Sequence, residues 1–177
     1  MAQLGRAVPP GAAQVAPPGR PPRADPVSAV LLLVAGALGV WQLLLPWLTV
    51  AAATGPGVSA GRPTGWQVYR GLRALPAPST ELSWATLAVL GAAVGGGALF
   101  LLGLAMMAPI NHRPPGAAAL LISLLMSIGA WWLVGHAKMI FNLGVFGLFG
   151  QAAVGWYLFL AAGLVGIAGA WKALSTG

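Results

Sequence analysis

The chain has 177 residues, 58% of them hydrophobic and only 6% charged, where a soluble domain carries about 25% charged residues. That imbalance excludes an ordinary water-soluble fold and predicts an integral membrane protein. Nine basic and two acidic residues give a net charge of +7; with no cysteine present, disulfides, thiol catalysis and thiolate metal sites are excluded.

Residues 1–26 form a Pro/Arg-rich tail that holds seven of the fifteen prolines, among them Pro9-Pro10, Pro17-Pro18 and Pro21-Pro22. Its lack of apolar periodicity predicts disorder or transient polyproline II. A docking peptide for a proline-binding module is the sharper alternative, but Pro-x-x-Pro spacings arise by chance in so proline-rich a stretch. Residues 27–177 are predicted to form one all-α transmembrane domain, a four-helix bundle with spans at 27–48, 82–107, 116–135 and 151–174. Each span approaches the roughly 20 apolar residues that a bilayer core requires.

The first span ends near Pro46, which can close a helix without breaking its middle. Its apolar run is longer than the h-region of a signal peptide. The connection 49–81 is punctuated by Gly55, Pro56, Gly57, Gly61, Pro63 and Gly65. In its second half, Trp66 and Val68 alternate with Gln67 and Arg70, which predicts a short β-hairpin or interfacial strand pair. Thr80 is the expected N-cap of the second span, with Glu81 in its first turn complementing the helix dipole. Pro109, Pro114 and Pro115 mark a tight turn before the third span. Residues 136–150 are apolar but interrupted by Gly144, Gly147 and Gly150. They fit a surface-lying helix, a re-entrant segment or the early part of the fourth helix.

Four spans place both termini on one side. Basic residues flank the two faces equally: Arg20, Arg23, Arg113 and Lys172 against Arg62, Arg70, Arg73 and Lys138. The positive-inside rule therefore does not choose between them. Trp47, Trp84, Trp131, Trp132 and Trp156 fall near the span ends beside the first and third loops, as an interfacial belt would. The basic tail and the short His-Arg turn favour cytoplasmic termini.

The segment Leu45-Pro46-Trp47-Leu48-Thr49-Val50, followed by Thr64-Gly65-Trp66, resembles a class of small actinobacterial four-span membrane proteins. The arrangement is also loosely similar to claudin-like proteins, although the loop cysteines of that group are missing here. The resemblance implies topology only, and no catalytic residue; the expected location is a bacterial plasma membrane.

Chemistry is scarce. No span carries Asp, Glu, Lys or Arg near its middle, where pumps and coupled transporters keep their functional groups. His112 and His136 flank the third span, 24 residues apart, which along a helix is about 36 Å and too far to share a metal. Ser123 and Ser127 lie roughly 17–23 Å from Lys138 along a helix, which excludes a Ser–Lys pair within that span. Scattered basic residues do not make the continuous surface that nucleic acid needs. No catalytic residue, cofactor or metal site is expected.

Interfaces are better represented. Gly91 and Gly95 in the second span, and Gly155 and Gly166 in the fourth, lie on small-residue stripes that allow close helix packing, within the chain or with a second copy. Trp66, Arg70 and Arg73, together with Lys138 and Phe141 of the apolar segment, are the candidate contacts for lipid or a membrane-protein partner. The expected role is that of a non-enzymatic accessory, scaffold or assembly subunit of an envelope complex. A small channel or lipid/solute carrier, with Ser123 and Ser127 along a polar path, is the alternative.

Overall fold

A computed structural model describes residues 24–49, 61–109 and 111–176. The predicted disorder of the tail falls almost wholly outside them, as do Gly55, Pro56 and Gly57 of the first connection. The described residues form seven helices: α1 (Pro26–Trp41), α2 (Gly65–Arg73), α3 (Thr80–Ala105), α4 (Arg113–Gly135), α5 (Ala137–Phe141), α6 (Val145–Gln151) and α7 (Val154–Thr176). Among the described residues there is no strand, only isolated bridges joining Pro46 to Thr64 and Leu48 to Ala152.

Three helices are long and apolar enough to cross a bilayer: α3, α4 and the Val154–Ser175 part of α7. Their outward faces carry Val94, Leu101, Leu121, Leu125, Ile128 and Leu164, all more than half exposed. An apolar surface of this extent suits hydrocarbon rather than water. The chain is therefore an all-helical protein suited to a membrane. α1 packs between α3 and α7, and α4 closes the opposite side against the same two helices. Ala29, Leu32, Ala35, Val89, Leu99, Ala130, Phe159 and Ala162 meet in the middle, each 0–2% exposed.

Capping explains most helix starts. The Asp25 carboxylate accepts from the Ser28 backbone N–H at 3.2 Å and from the Ser28 hydroxyl at 2.6 Å, closing the first turn of α1. The N-cap of α3 is Ser79, not the expected Thr80: the Ser79 Oγ accepts from the Leu82 N–H at 3.4 Å. α4 starts at Arg113, three residues ahead of the expected boundary. Pro114 and Pro115 fit its first turn, where a backbone N–H has no helical partner to lose.

Three expectations are corrected. The helix of the first span stops at Trp41 instead of running to Leu48. Pro46 disfavours helical geometry at Leu45, and residues 42–49 turn and extend to pair with other segments. Residues 65–73 form a helix, not a strand pair. Thr64 Oγ1 accepts from the Gln67 N–H at 3.3 Å while Gln67 Oε1 accepts from the Thr64 N–H at 2.9 Å, a reciprocal cap that buries Val68, Tyr69 and Leu72 on one helical face. Residues 136–150 are not the start of α7 but two short helices, split at Asn142. Asn142 has φ +54°, a left-handed conformation that asparagine tolerates better than most residues.

Candidate functional site

The segment that follows α1 organises one end of the molecule. The Trp47 N–H donates to the Pro63 carbonyl at 2.8 Å and the Trp66 N–H donates to the Leu43 carbonyl at 2.8 Å. On the other side the Ala153 N–H donates to the Trp47 carbonyl and the Gly155 N–H to the Pro46 carbonyl, both at 2.8 Å. Residues 43–49 are thus clasped between the start of α2 and the start of α7. The Trp47 indole Nε1 donates to both the backbone carbonyl and the side-chain Oε1 of Gln42, each at 3.0 Å. Its ring lies 5.2 Å from Trp156, 5.0 Å from Phe159 and 6.5 Å from Phe141.

Gly65 and Gly155 make this possible. A Cβ on Gly65 would fall 2.6 Å from Trp47 Nε1, and one on Gly155 would fall 2.6 Å from the Leu45 carbonyl oxygen. The two separated pieces of sequence, 45–49 and 64–66, therefore meet in space as parts of one clasp. Trp47 and Trp156, expected in an interfacial belt, are fully buried within it. Trp84, Trp131 and Trp171 remain more than half exposed, as does Trp41 at the end of α1.

α2 lies on this clasp with its Gly65, Val68, Tyr69 and Leu72 face buried. Trp66, Arg70 and Arg73 follow at i, i+4 and i+7 on the opposite, exposed face. Trp66 stacks on Tyr69 at 5.2 Å and 26°. Arg73 Nη1 donates to the Tyr69 hydroxyl at 3.0 Å, which holds one guanidinium beside the aromatic pair. Such a patch offers charge and a flat apolar plate to an anionic group or a protein surface. Lys138 is exposed on α5, but Phe141 is fully buried against Trp47 and Trp156 and cannot serve as a contact residue. Phe146, 95% exposed on α6, is the aromatic that this segment presents.

The glycines divide sharply. Gly95 packs against Met126, Gly155 against the clasp, and Gly166 against Ser123, whereas a Cβ on Gly91 would meet nothing within 4 Å. The closest helix crossing was not singled out from sequence: Gly36 and Gly39 of α1 meet Gly96 of α3, with Gly103 against Leu33 one stage further along. The signal was the buried register Val89, Ala92, Gly96, Leu99 and Gly103 at helical spacing, hidden by the run Gly95-Gly96-Gly97, which places glycine on several faces at once. Ser123 donates to the Ala119 carbonyl at 2.7 Å. Ser123 and Ser127 face Gly166 and Gly163 of α7.

A cleft of about 560 Å³ runs between α3 and α4. Its floor is small residues, including Ala88, Gly91, Gly95 and Gly129; its walls are Leu87, Leu125 and Ile128, with Trp84 and Trp132 at one end. Neither serine lines it. Among the described residues no group of three metal-ligating side chains occurs. Comparison with protein-family models, with curated proteins and with solved structures finds no match for this chain.

Proposed function

We propose that this chain is a non-enzymatic, multi-pass protein of a bacterial plasma membrane that works by contact, as an accessory, scaffold or assembly subunit of an envelope complex. In this reading α1 is the fourth span and completes a four-helix bundle with α3, α4 and α7. Its helix rises only about 24 Å over 16 residues, short of a roughly 30 Å hydrocarbon core, and the extension 43–49, anchored by the buried Trp47 and Leu48, supplies the remaining depth. Both termini lie on the cytoplasmic side.

The observation that carries the proposal is the mounting of Trp66, Arg70 and Arg73. They share one exposed face of a helix that is capped at its start and packed on the clasp beneath it. Rigid aromatic and arginine side chains are the usual anchors of protein interfaces. The apolar packing of the helices, with Ser123 and Ser127 against α7 rather than along a polar path, favours this role over a solute channel. The test is a triple substitution, Trp66→Ala with Arg70→Ala and Arg73→Ala, in the tagged chain purified gently from its native membrane. Loss of a stoichiometric partner with unchanged thermal stability is the expected result. Unchanged co-purification would refute the assignment.

A further inference from the structure

Between Asp25 and Glu81 the sequence holds no acidic residue, yet it holds Arg62, Arg70 and Arg73. All three arginines are exposed. Arg62 and Arg70 make no hydrogen bond or ion pair among the described residues, and Glu81, the next acid along the chain, pairs with none of the three. The loop-one surface therefore carries positive charge that nothing in the described chain neutralises.

α2 arranges part of that charge. At 3.6 residues per turn, Trp66, Arg70 and Arg73 fall within about 60° of one another around the helix axis, beside the buried face of Val68, Tyr69 and Leu72. Arg70 and Arg73 are neighbours on the helix surface, with Cβ atoms about 5–6 Å apart. Like charges at that spacing repel, and an anion lying between them converts the repulsion into two attractions. Arg73 spends one donor on the Tyr69 hydroxyl at 3.0 Å, which leaves the rest of its fork for an acceptor. The stacked Trp66 and Tyr69 rings form an aromatic plate beside the two guanidiniums.

We infer that the partner segment docking on α2 is acidic, with protein carboxylates seated between Arg70 and Arg73 and an apolar side chain against Trp66. Complementary charge sets which partner is accepted and how fast it is met, and the planar fork of arginine matches a carboxylate. An arginine that only meets the mobile headgroups of a bilayer is served by a flexible stem. Here the Tyr69 hydroxyl holds one guanidinium, and a capped, packed helix sets the spacing of both side chains. A fixed pair suits an acceptor that is itself fixed in a protein. The inference rests on the contact role assigned to α2 and adds the chemistry of what binds there.

The test uses the full chain in discs of phosphatidylcholine, with a fluorescent oligoglutamate peptide as the probe. Arg70→Gln with Arg73→Gln should weaken peptide binding roughly tenfold, with tryptophan-monitored unfolding unchanged. Arg20→Gln with Arg23→Gln removes the same charge from the tail and should weaken it less than roughly twofold. Arg70→Lys with Arg73→Lys keeps the charge but loses the fork, and should fall between the two. Equal weakening by the two glutamine pairs would show attraction by net charge alone and overturn the inference. So would phosphatidylglycerol that the unsubstituted chain retains on mild extraction from mixed vesicles and the Arg70→Gln, Arg73→Gln chain loses, which would assign the surface to lipid phosphate. If the native partner is lost on the triple substitution while peptide binding ignores Arg70 and Arg73, the contact role stands and only its acidic chemistry falls. A native partner kept by the triple variant would remove the contact role, and this inference with it.

Discussion

The crossing of α1 and α3 permits a comparison in which one substitution carries its own control. A Cβ on Gly96 would lie 2.9 Å from the Gly36 carbonyl oxygen and from the Cα and carbonyl carbon of Gly39. All three are backbone atoms, so the overlap cannot be relieved by a rotamer change; the helices must separate by several tenths of an ångström. A radial gap of about 0.5 Å already forfeits around a quarter of each dispersion contact, and overpacking of this kind costs about 1–3 kcal/mol. Gly91 lies five residues earlier on the same helix, and a Cβ there meets nothing within 4 Å. Any gain in helix propensity, up to about 1 kcal/mol in water, is common to Gly91→Ala and Gly96→Ala and cancels between them. Gly96→Ala should therefore be about 1–3 kcal/mol less stable than Gly91→Ala. The assay is reversible unfolding by sodium dodecyl sulfate titrated into mild-detergent micelles, followed by the fluorescence of the eight tryptophans. Two variants within about 0.5 kcal/mol of each other would refute the close crossing.

Trp47→Ala removes both indole hydrogen bonds to Gln42 and the ring contacts with Trp156 and Phe159; it should cost about 3–5 kcal/mol in the same titration, typical of a large aromatic core truncation. Trp84→Ala, at an exposed position, should cost much less, and equal losses would argue against the clasp. Thr64→Ala breaks the reciprocal cap with Gln67 and should loosen α2 by about 1 kcal/mol. Faster cleavage of the Thr49–Thr80 connection by a protease added to the loop-one side would show this, and an unchanged rate would count against a capped α2.

The apolar composition and the lengths of α3, α4 and α7 were legible because lipid-spanning helices must be long and must satisfy their backbone polar groups internally. The break between α3 and α4 was legible from Pro109, Pro114 and Pro115, but not its bounds: α4 already begins at Arg113 and takes Pro114 and Pro115 into its first turn. Helical starts were readable only to within a few residues: Ser79 and Thr80 are both good caps by residue type, and the actual hydrogen bond belongs to Ser79. Of the residues expected to make contacts, Trp66, Arg70 and Arg73 are exposed, but Phe141 is buried, because an apolar segment does not reveal which of its aromatics turns inward.

The sequence by itself determined the hydrophobic lengths, the proline-marked turn and the scarcity of ionisable groups within the spans, since these depend on local composition. The tertiary structure decided the rest. It turned residues 65–73 into a capped helix because Val68, Tyr69 and Leu72 gain a buried surface only with that period. It drew Trp47 and Trp156 inside, through glycines 65 and 155, instead of leaving them at the membrane interface. It also selected Gly36, Gly39 and Gly96 for the closest helix crossing and left Gly91 beside an open cleft. Identical residue types took different roles because the rotation of each helix about its axis is set by packing against its neighbours, and composition carries no record of that angle.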